Sequence, residues 1–221
     1  MRLATAAANS GVKRFVFVST VKVMGEFTAI GRPYRSDDTP DPKDLYGISK
    51  WEAEQGLKTI AERTGLEVVV VRPPLVYGPG VGANFRQLMG WVARGIPLPV
   101  AAIKNQRSLV YVGNLADLVL TCVVHPSAVG QTFFVSDGHD LSTPQLVSEL
   151  ALAMGRKPRM LDIPVGMLQL LGRLTGRVAQ VERLTGNLQV DIEHTQRTLD
   201  WVPVCSVRQG MKDAIRDFRR T

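Results

Sequence analysis

Lys13-Arg14-Phe15-Val16-Phe17-Val18-Ser19-Thr20 is a run of β-branched and aromatic residues that ends in two hydroxyls. It has no polar alternation, so it reads as a parallel strand buried on both faces. In open α/β sheets ligands bind outside the carboxyl ends of the strands. Ser19 and Thr20 are therefore expected at a crevice and not in the core.

Working outward, Asp41-Pro42-Lys43-Asp44 breaks the chain, and a helical pattern runs from Leu45 to Arg63, opening on Tyr46-Gly47-Ile48-Ser49-Lys50. A four-residue step brings two side chains onto one helix face, which makes Tyr46 and Lys50 neighbours. An ammonium beside a phenol favours the phenolate, so Tyr46 is a candidate general base, with Thr20 holding the substrate oxygen whose proton it takes. A Tyr-Lys pair at this spacing recurs by chance in unrelated helices. Its weight here comes from the strand before it and from a second apolar strand after it, Gly65 to Arg72, followed by Pro73-Pro74-Leu75-Val76-Tyr77-Gly78-Pro79-Gly80. Strand, helix and strand make a βαβ unit.

The 221 residues, 45% apolar and 21% charged, have ordinary globular composition and can bury a substantial core in one or two lobes. No apolar stretch reaches 18 residues, Val165 to Leu171 is too short to span a bilayer, and the N-terminus lacks a signal-peptide cleavage pattern. A cytoplasmic protein is expected. Cys122 and Cys205 lie in unrelated contexts, and His125, His139 and His194 have no ligand spacing, so reduced thiols and no metal are expected. The net charge of +7 suits attraction for a diphosphate-bearing ligand. Nucleic acid is not expected, because the bases are scattered singly and no aromatic-interleaved basic stripe is visible.

Elsewhere, Ala-rich residues 1 to 10 predict a helix ended by Gly11. Val21 to Asp44 predicts a long loop of the kind that overlies a ligand. Asn84 to Leu88 opens a helix, Arg107 precedes a strand over Ser108 to Val112, and Asn114 is read as the cap of a helix to Val124. Gln131 to Val135 is a third short strand, and Ser142 or Thr143, with Pro144 in the first turn and Gln145 three residues after Ser142, reads as a capping arrangement for a helix to Met154. Leu161 to Arg220 reads as mostly helical.

Five ordered pieces resemble the extended short-chain dehydrogenase/reductases of the nucleotide-sugar epimerase and dehydratase group: Gly11 to Thr20, Tyr46 to Lys50, Arg72 to Gly80, Asn114-Leu115-Ala116-Asp117, and Thr198-Leu199-Asp200-Trp201-Val202-Pro203. The resemblance implies an α/β fold: a Rossmann-like parallel sheet over 1–77 and 113–136 with its first strands missing, and a smaller mixed α/β substrate-binding lobe over 78–112 and 137–221. Members of the group carry four further strands and a Gly-rich phosphate-binding turn ahead of the Lys13 strand, and no such turn opens a helix in residues 1–221. The chain is thus expected to be a fragment or to need a second chain.

By the same resemblance, NAD, or NADP, meets Ser19, Tyr46, Lys50 and Pro73, and catalysis falls to Thr20, Tyr46 and Lys50. Asn84, Arg107 and Arg183 would bind the nucleotide sugar. The implied reaction is epimerisation through a transient 4-keto sugar, with a 4-keto-sugar reductase or a catalytically silent fragment as alternatives. Dehydration is disfavoured, since Ser19-Thr20-Val21-Lys22 stands where dehydratases have Thr-Asp-Glu. Leu75 replaces an amide that touches the diphosphate in many epimerases. A homodimer is implied through the Tyr46 helix and residues 1 to 10, and the Lys13 strand is expected to be left as an apolar sheet edge.

Overall fold

The computed structural model of the chain describes residues 2–220, the side chain of Ala83 aside. Helix α1 (Arg2–Asn9) ends where Gly11 turns at φ 77°, and β1 (Arg14–Val18) follows. Met1 lies outside the described residues. Helix α2 (Leu45–Thr64) crosses back to β2 (Glu67–Arg72), which pairs with β1 in parallel, Val18 opposite Val71. The Asp44 carboxylate accepts from the Gly47 N–H at 2.7 Å to start α2, and Gly65, at φ 74°, ends it.

Beyond β2 come β3 (Leu75–Tyr77), α3 (Ala83–Arg94), β4 (Leu109–Tyr111), α4 (Val112–Val124) and β5 (Thr132–Phe134). Helices α5 (Thr143–Ala153), α6 (Val165–Leu174), α7 (Val178–Thr185), α8 (Glu193–Leu199) and α9 (Val207–Phe218) complete the chain. The principal sheet is parallel throughout, in the order β1-β2-β5, and β3 and β4 form a second, two-stranded parallel sheet.

The middle strand β2 has neighbours on both edges, and Val68 to Arg72 are all buried. Strand β1, predicted to be buried on both faces, is only half-buried, with Val18 exposed. Among the described residues it is the outer strand, so one row of its main-chain groups has no strand beside it. The expectation of an apolar edge is the one that matches. One cluster packs Val69, Val71, Phe133, Leu118 and Trp201 around the principal sheet. A larger one gathers Tyr77, Phe85, Met89, Leu109, Leu150 and Met211. Each side chain of that size stabilises the fold by roughly 1.5–3 kcal/mol through its removal from water.

Ser142 and Gln145 form the predicted reciprocal capping box of α5. Asn114 does not cap α4. The helix begins two residues earlier, at Val112, and the buried Asn114 amide points into tertiary structure: Nδ2 donates to Asp137 Oδ1 at 2.7 Å and to the Cys205 carbonyl at 2.8 Å, and Oδ1 accepts from the Cys205 N–H at 2.9 Å. An asparagine near a helix start serves either purpose, and the partners here are 23 and 91 residues away. The predicted strand over Ser108 to Val112 is correspondingly shorter, because Val112 already belongs to α4. No helix among the described residues is long and apolar enough to cross a membrane, and none of their His, Cys, Asp and Glu side chains gather into a metal-binding group.

Candidate active site

The carboxyl end of β1 and the first two turns of α2 meet as the four-residue spacing requires. The Lys50 ammonium donates to the Val18 carbonyl at 2.9 Å, 4.7 Å from the centroid of the Phe17 ring and 5.9 Å from that of Tyr46. Tyr46, one turn nearer the N-terminus, is 52% exposed. A cation anchored on a strand end therefore stands between that strand and an accessible phenol.

Ser19 and Thr20 follow Val18 directly and are more deeply set than expected, 3% and 8% exposed at the strand end. The Ser19 hydroxyl donates to Glu54 Oε1 at 2.5 Å. Glu54 lies one turn beyond Lys50, and it also grips Arg72 at the carboxyl end of β2, with contacts of 2.5 Å from Nη2 and 3.1 Å from Nε. The Arg72 guanidinium lies over the rings of Trp51 and Phe134, 5.8 and 6.0 Å from their centroids. Ser19 is thus a strut between strand and helix. Thr20 Oγ1 accepts from the Lys22 N–H at 3.3 Å, heading a 3-10 turn over Val21–Val23. A hydroxyl that accepts one bond still has its proton to donate.

Pro73 is buried, and its carbonyl accepts from the Val21 N–H at 2.9 Å, tying the ends of β1 and β2 together. The loop after Thr20 is held to the start of α2 by Lys22, whose ammonium pairs with Asp44 and lies 3.5 Å from Glu26. That ion pair holds the Asp44 carboxyl below its ordinary range, with burial opposing it. Val21, Val23 and Met24 are buried. The predicted loop therefore begins as a packed clamp before it turns out to solvent.

Arg107 donates through Nη1 to the Arg183 carbonyl at 2.8 Å and the Gly186 carbonyl at 3.1 Å. Burial, and then the charge of Arg183, push its guanidinium below the usual value. The exposed Arg183 also contributes to holding Asp44 low. Two of the expected substrate-binding cations therefore share one lip with the start of α2. Asn84 is exposed in the first turn of α3, a helix packed on α5 and α9; Gly82, and not Asn84, occupies its N-cap.

Two groups of polar residues were missed in the sequence. Glu54 and Arg72 have one legible signal, the continuation of the Tyr46, Lys50 stripe by another four residues. Asp137 has none. Its Oδ1 accepts from the Tyr111 N–H at 2.8 Å as well as from Asn114, and its Oδ2 accepts from the Tyr77 hydroxyl at 2.6 Å. Burial pushes Asp137 above the carboxylate range against the pull of those donors. Tyr77 is driven far above the ordinary phenol value by burial, then by the Asp137 charge. This network is a junction of β3, β4 and α4.

A family model described as the NAD dependent epimerase/dehydratase family matches residues 1–135. A UDP-glucose 4-epimerase of Vibrio cholerae is 49% identical over 219 residues, covering 99% of this chain and 67% of that protein. An N-acetyl-alpha-D-glucosaminyl-diphospho-ditrans,octacis-undecaprenol 4-epimerase of Escherichia coli O157:H7 is 30% identical over 182 residues, 78% of this chain and 54% of its own length. Among solved structures, a UDP-glucose 4-epimerase from Thermotoga maritima with UDP-glucose superposes with a TM-score of 0.76 at 23% identity, over 99% of this chain and 67% of that one. The UDP-N-acetylglucosamine 4-epimerase of Bacillus cereus gives a TM-score of 0.80 at 17% identity, over 98% and 70%. The chain thus spans between about half and about two thirds of the length of these relatives.

Proposed function

This chain belongs to the NAD-dependent epimerase/dehydratase family, and we propose that its site serves the 4-epimerisation of a sugar carried on a diphosphate, a UDP-hexose or UDP-N-acetylhexosamine. The observation that carries the reading is Lys50, anchored on the Val18 carbonyl with the accessible Tyr46 ring beside it at the strand ends. The names of the Vibrio and Escherichia relatives agree on the reaction and on a diphosphate-linked sugar.

The residues present fit the ribose and nicotinamide end of the cofactor: an ammonium with donor capacity beyond its one carbonyl bond, and a half-exposed phenol, both outside the carboxyl end of β1. When bound, NAD supplies hydride transfer. Tyr46 takes the proton from the ring hydroxyl and later returns it. Lys50 sets a positive charge beside the phenol, 5.9 Å from the ring centroid. Thr20, already accepting from Lys22, donates its own proton to the reacting oxygen. Arg107 and Arg183 lie at one lip as a pair of cations for the diphosphate. A cytoplasmic homodimer completes the proposal, supported by the exposed Leu3 and Leu45 on α1 and α2.

The test is Tyr46→Phe in a protein that joins this chain to the strands and Gly-rich turn its relatives carry, assayed for interconversion of UDP-glucose and UDP-galactose and of their N-acetyl counterparts. Loss of a general base costs on the order of 100-fold to 10,000-fold in turnover. Turnover at the parent rate would remove the assignment, and light scattering of a clean monomer would remove the dimer.

A further inference from the structure

Helices α6 and α7 form a hairpin with a close approach at Gly172. A Cβ on Gly172 would lie 2.8 Å from the Val181 side chain, so glycine lets the two helices meet, and Leu168 is buried beside it. The opposite side of α6 has no such cover. Met167, Leu170, Leu171 and Leu174 recur at i, i+3, i+4 and i+7, one stripe of the helix, and are 50–75% exposed. Val178, across the turn, is 40% exposed and lengthens the stripe. Isolated exposed leucines need no explanation, whereas an aligned row of four marks a surface with a partner.

Charge selects the partner. Between Met154 and Thr185 the chain carries Arg156, Lys157, Arg159, Arg173, Arg177 and Arg183 against only Asp162 and Glu182. Arg173 and Arg177 are exposed and border the apolar row. A second copy of the same face would set these arginines against themselves in a symmetric pair. A ten-residue helix is too short to cross a bilayer, but an apolar row rimmed by arginines suits the boundary between acyl chains and anionic headgroups.

We infer that the α6–α7 hairpin docks on an anionic membrane surface, with Met167, Leu170, Leu171 and Leu174 entering the headgroup boundary and Arg173 and Arg177 meeting lipid phosphates. The hairpin is joined to the lip of the site: Arg107 holds the carbonyls of Arg183 and Gly186, and Asn105 those of Leu184 and Gly186. The inference stands independently of the sugar chemistry.

Co-sedimentation of the full chain with phosphatidylcholine vesicles, and with vesicles of phosphatidylcholine mixed with phosphatidylglycerol, tests it. The parent should partition onto the mixed vesicles and far less onto phosphatidylcholine alone, with salt weakening it. Leu171→Gln with Leu174→Gln, and separately Arg173→Gln with Arg177→Gln, should each lower that partition about tenfold or more. These positions are exposed, so circular dichroism should be unchanged. No sedimentation of the parent, equal sedimentation of parent and leucine variant, or a parent dimer that the leucine variant dissociates would each overturn the inference.

Discussion

Glu54 and Arg72 face each other with two contacts, Nη2 to Oε2 at 2.5 Å and Nε to Oε1 at 3.1 Å, and their side chains are 4% and 5% exposed. A charge pair this deep gives little net stability over an apolar pair of the same shape, but removing one member strands the other. Glu54 also carries the Ser19 hydroxyl, so the pair fixes the rotation of α2 against the ends of β1 and β2. Glu54→Gln should cost about 3–5 kcal/mol in urea unfolding, and Glu54→Leu with Arg72→Met should recover most of it. A single-variant loss below about 1 kcal/mol would mean that water reaches the pair.

The parts of this arrangement with local causes were legible in the sequence. The β1-α2-β2 unit follows from two apolar runs flanking a helical pattern, and the Tyr46, Lys50 face follows from 3.6 residues per turn. The start of α5 was equally readable, because a capping box lies within four residues. Ser19 and Asn114 were misread for the opposite reason. Their polar atoms are satisfied by Glu54, 35 residues away, and by Cys205, 91 residues away, and no periodicity encodes such a partner. The half-burial of β1 depends on which strands lie beside it, a property of the sheet and not of the strand's own composition.

Gly47, inside the first turn of α2, is expected to resist the most favourable helix substitution. Alanine is intrinsically better in a helix by about 1 kcal/mol. Here its Cβ would stand 2.7 Å from the Lys22 carbonyl oxygen and 3.2 Å from Asp44 Oδ1, and the nearer atom is main chain that cannot swing aside. Gly47→Ala should destabilise by roughly 1–3 kcal/mol as the clamp on Thr20 is forced outward. Gly90→Ala in α3 is the control: nothing lies within 4 Å of its added Cβ, so it should raise stability by about 0.5–1 kcal/mol. A stabilising Gly47→Ala, read by thermal unfolding, would show that the loop is not held.

Asp44 contributes to the acid limb of stability. Its folded value lies below the ordinary 3.8, chiefly through the Lys22 hydrogen bond. The unfolded chain therefore takes up the proton first as the pH drops. The contribution is present above about pH 4 and is lost as the pH falls through the lower folded value. Asn is as good a helix cap as Asp, so Asp44→Asn keeps the bond to Gly47 and removes only the charge. Stability curves of parent and variant should differ by a constant above pH 5 and converge toward pH 2. Parallel curves through that range would sink the assignment.

The two thiols should separate cleanly, because their surroundings differ while their residue type does not. Cys122 is fully enclosed in α4, and burial pushes its thiol up to about 11 with Arg14 pulling weakly the other way. Cys205 is partly exposed, and burial together with the charges of Asp213 and Asp137 raises it as well. A disulfide-exchange reagent at pH 8 should label Cys205 slowly and leave Cys122 untouched until the chain unfolds, so Cys205→Ser should abolish native labelling. In the unfolded chain Cys122 gives up its proton near 9, before the folded state does. Its neutral form therefore supports the fold below pH 9, and that support is lost as the pH rises toward 11. Cys122→Ala removes this dependence, so the stability difference between parent and variant should be flat up to pH 9 and shrink above it. Rapid labelling of two thiols in the native protein would show that α4 does not pack against the sheet as described.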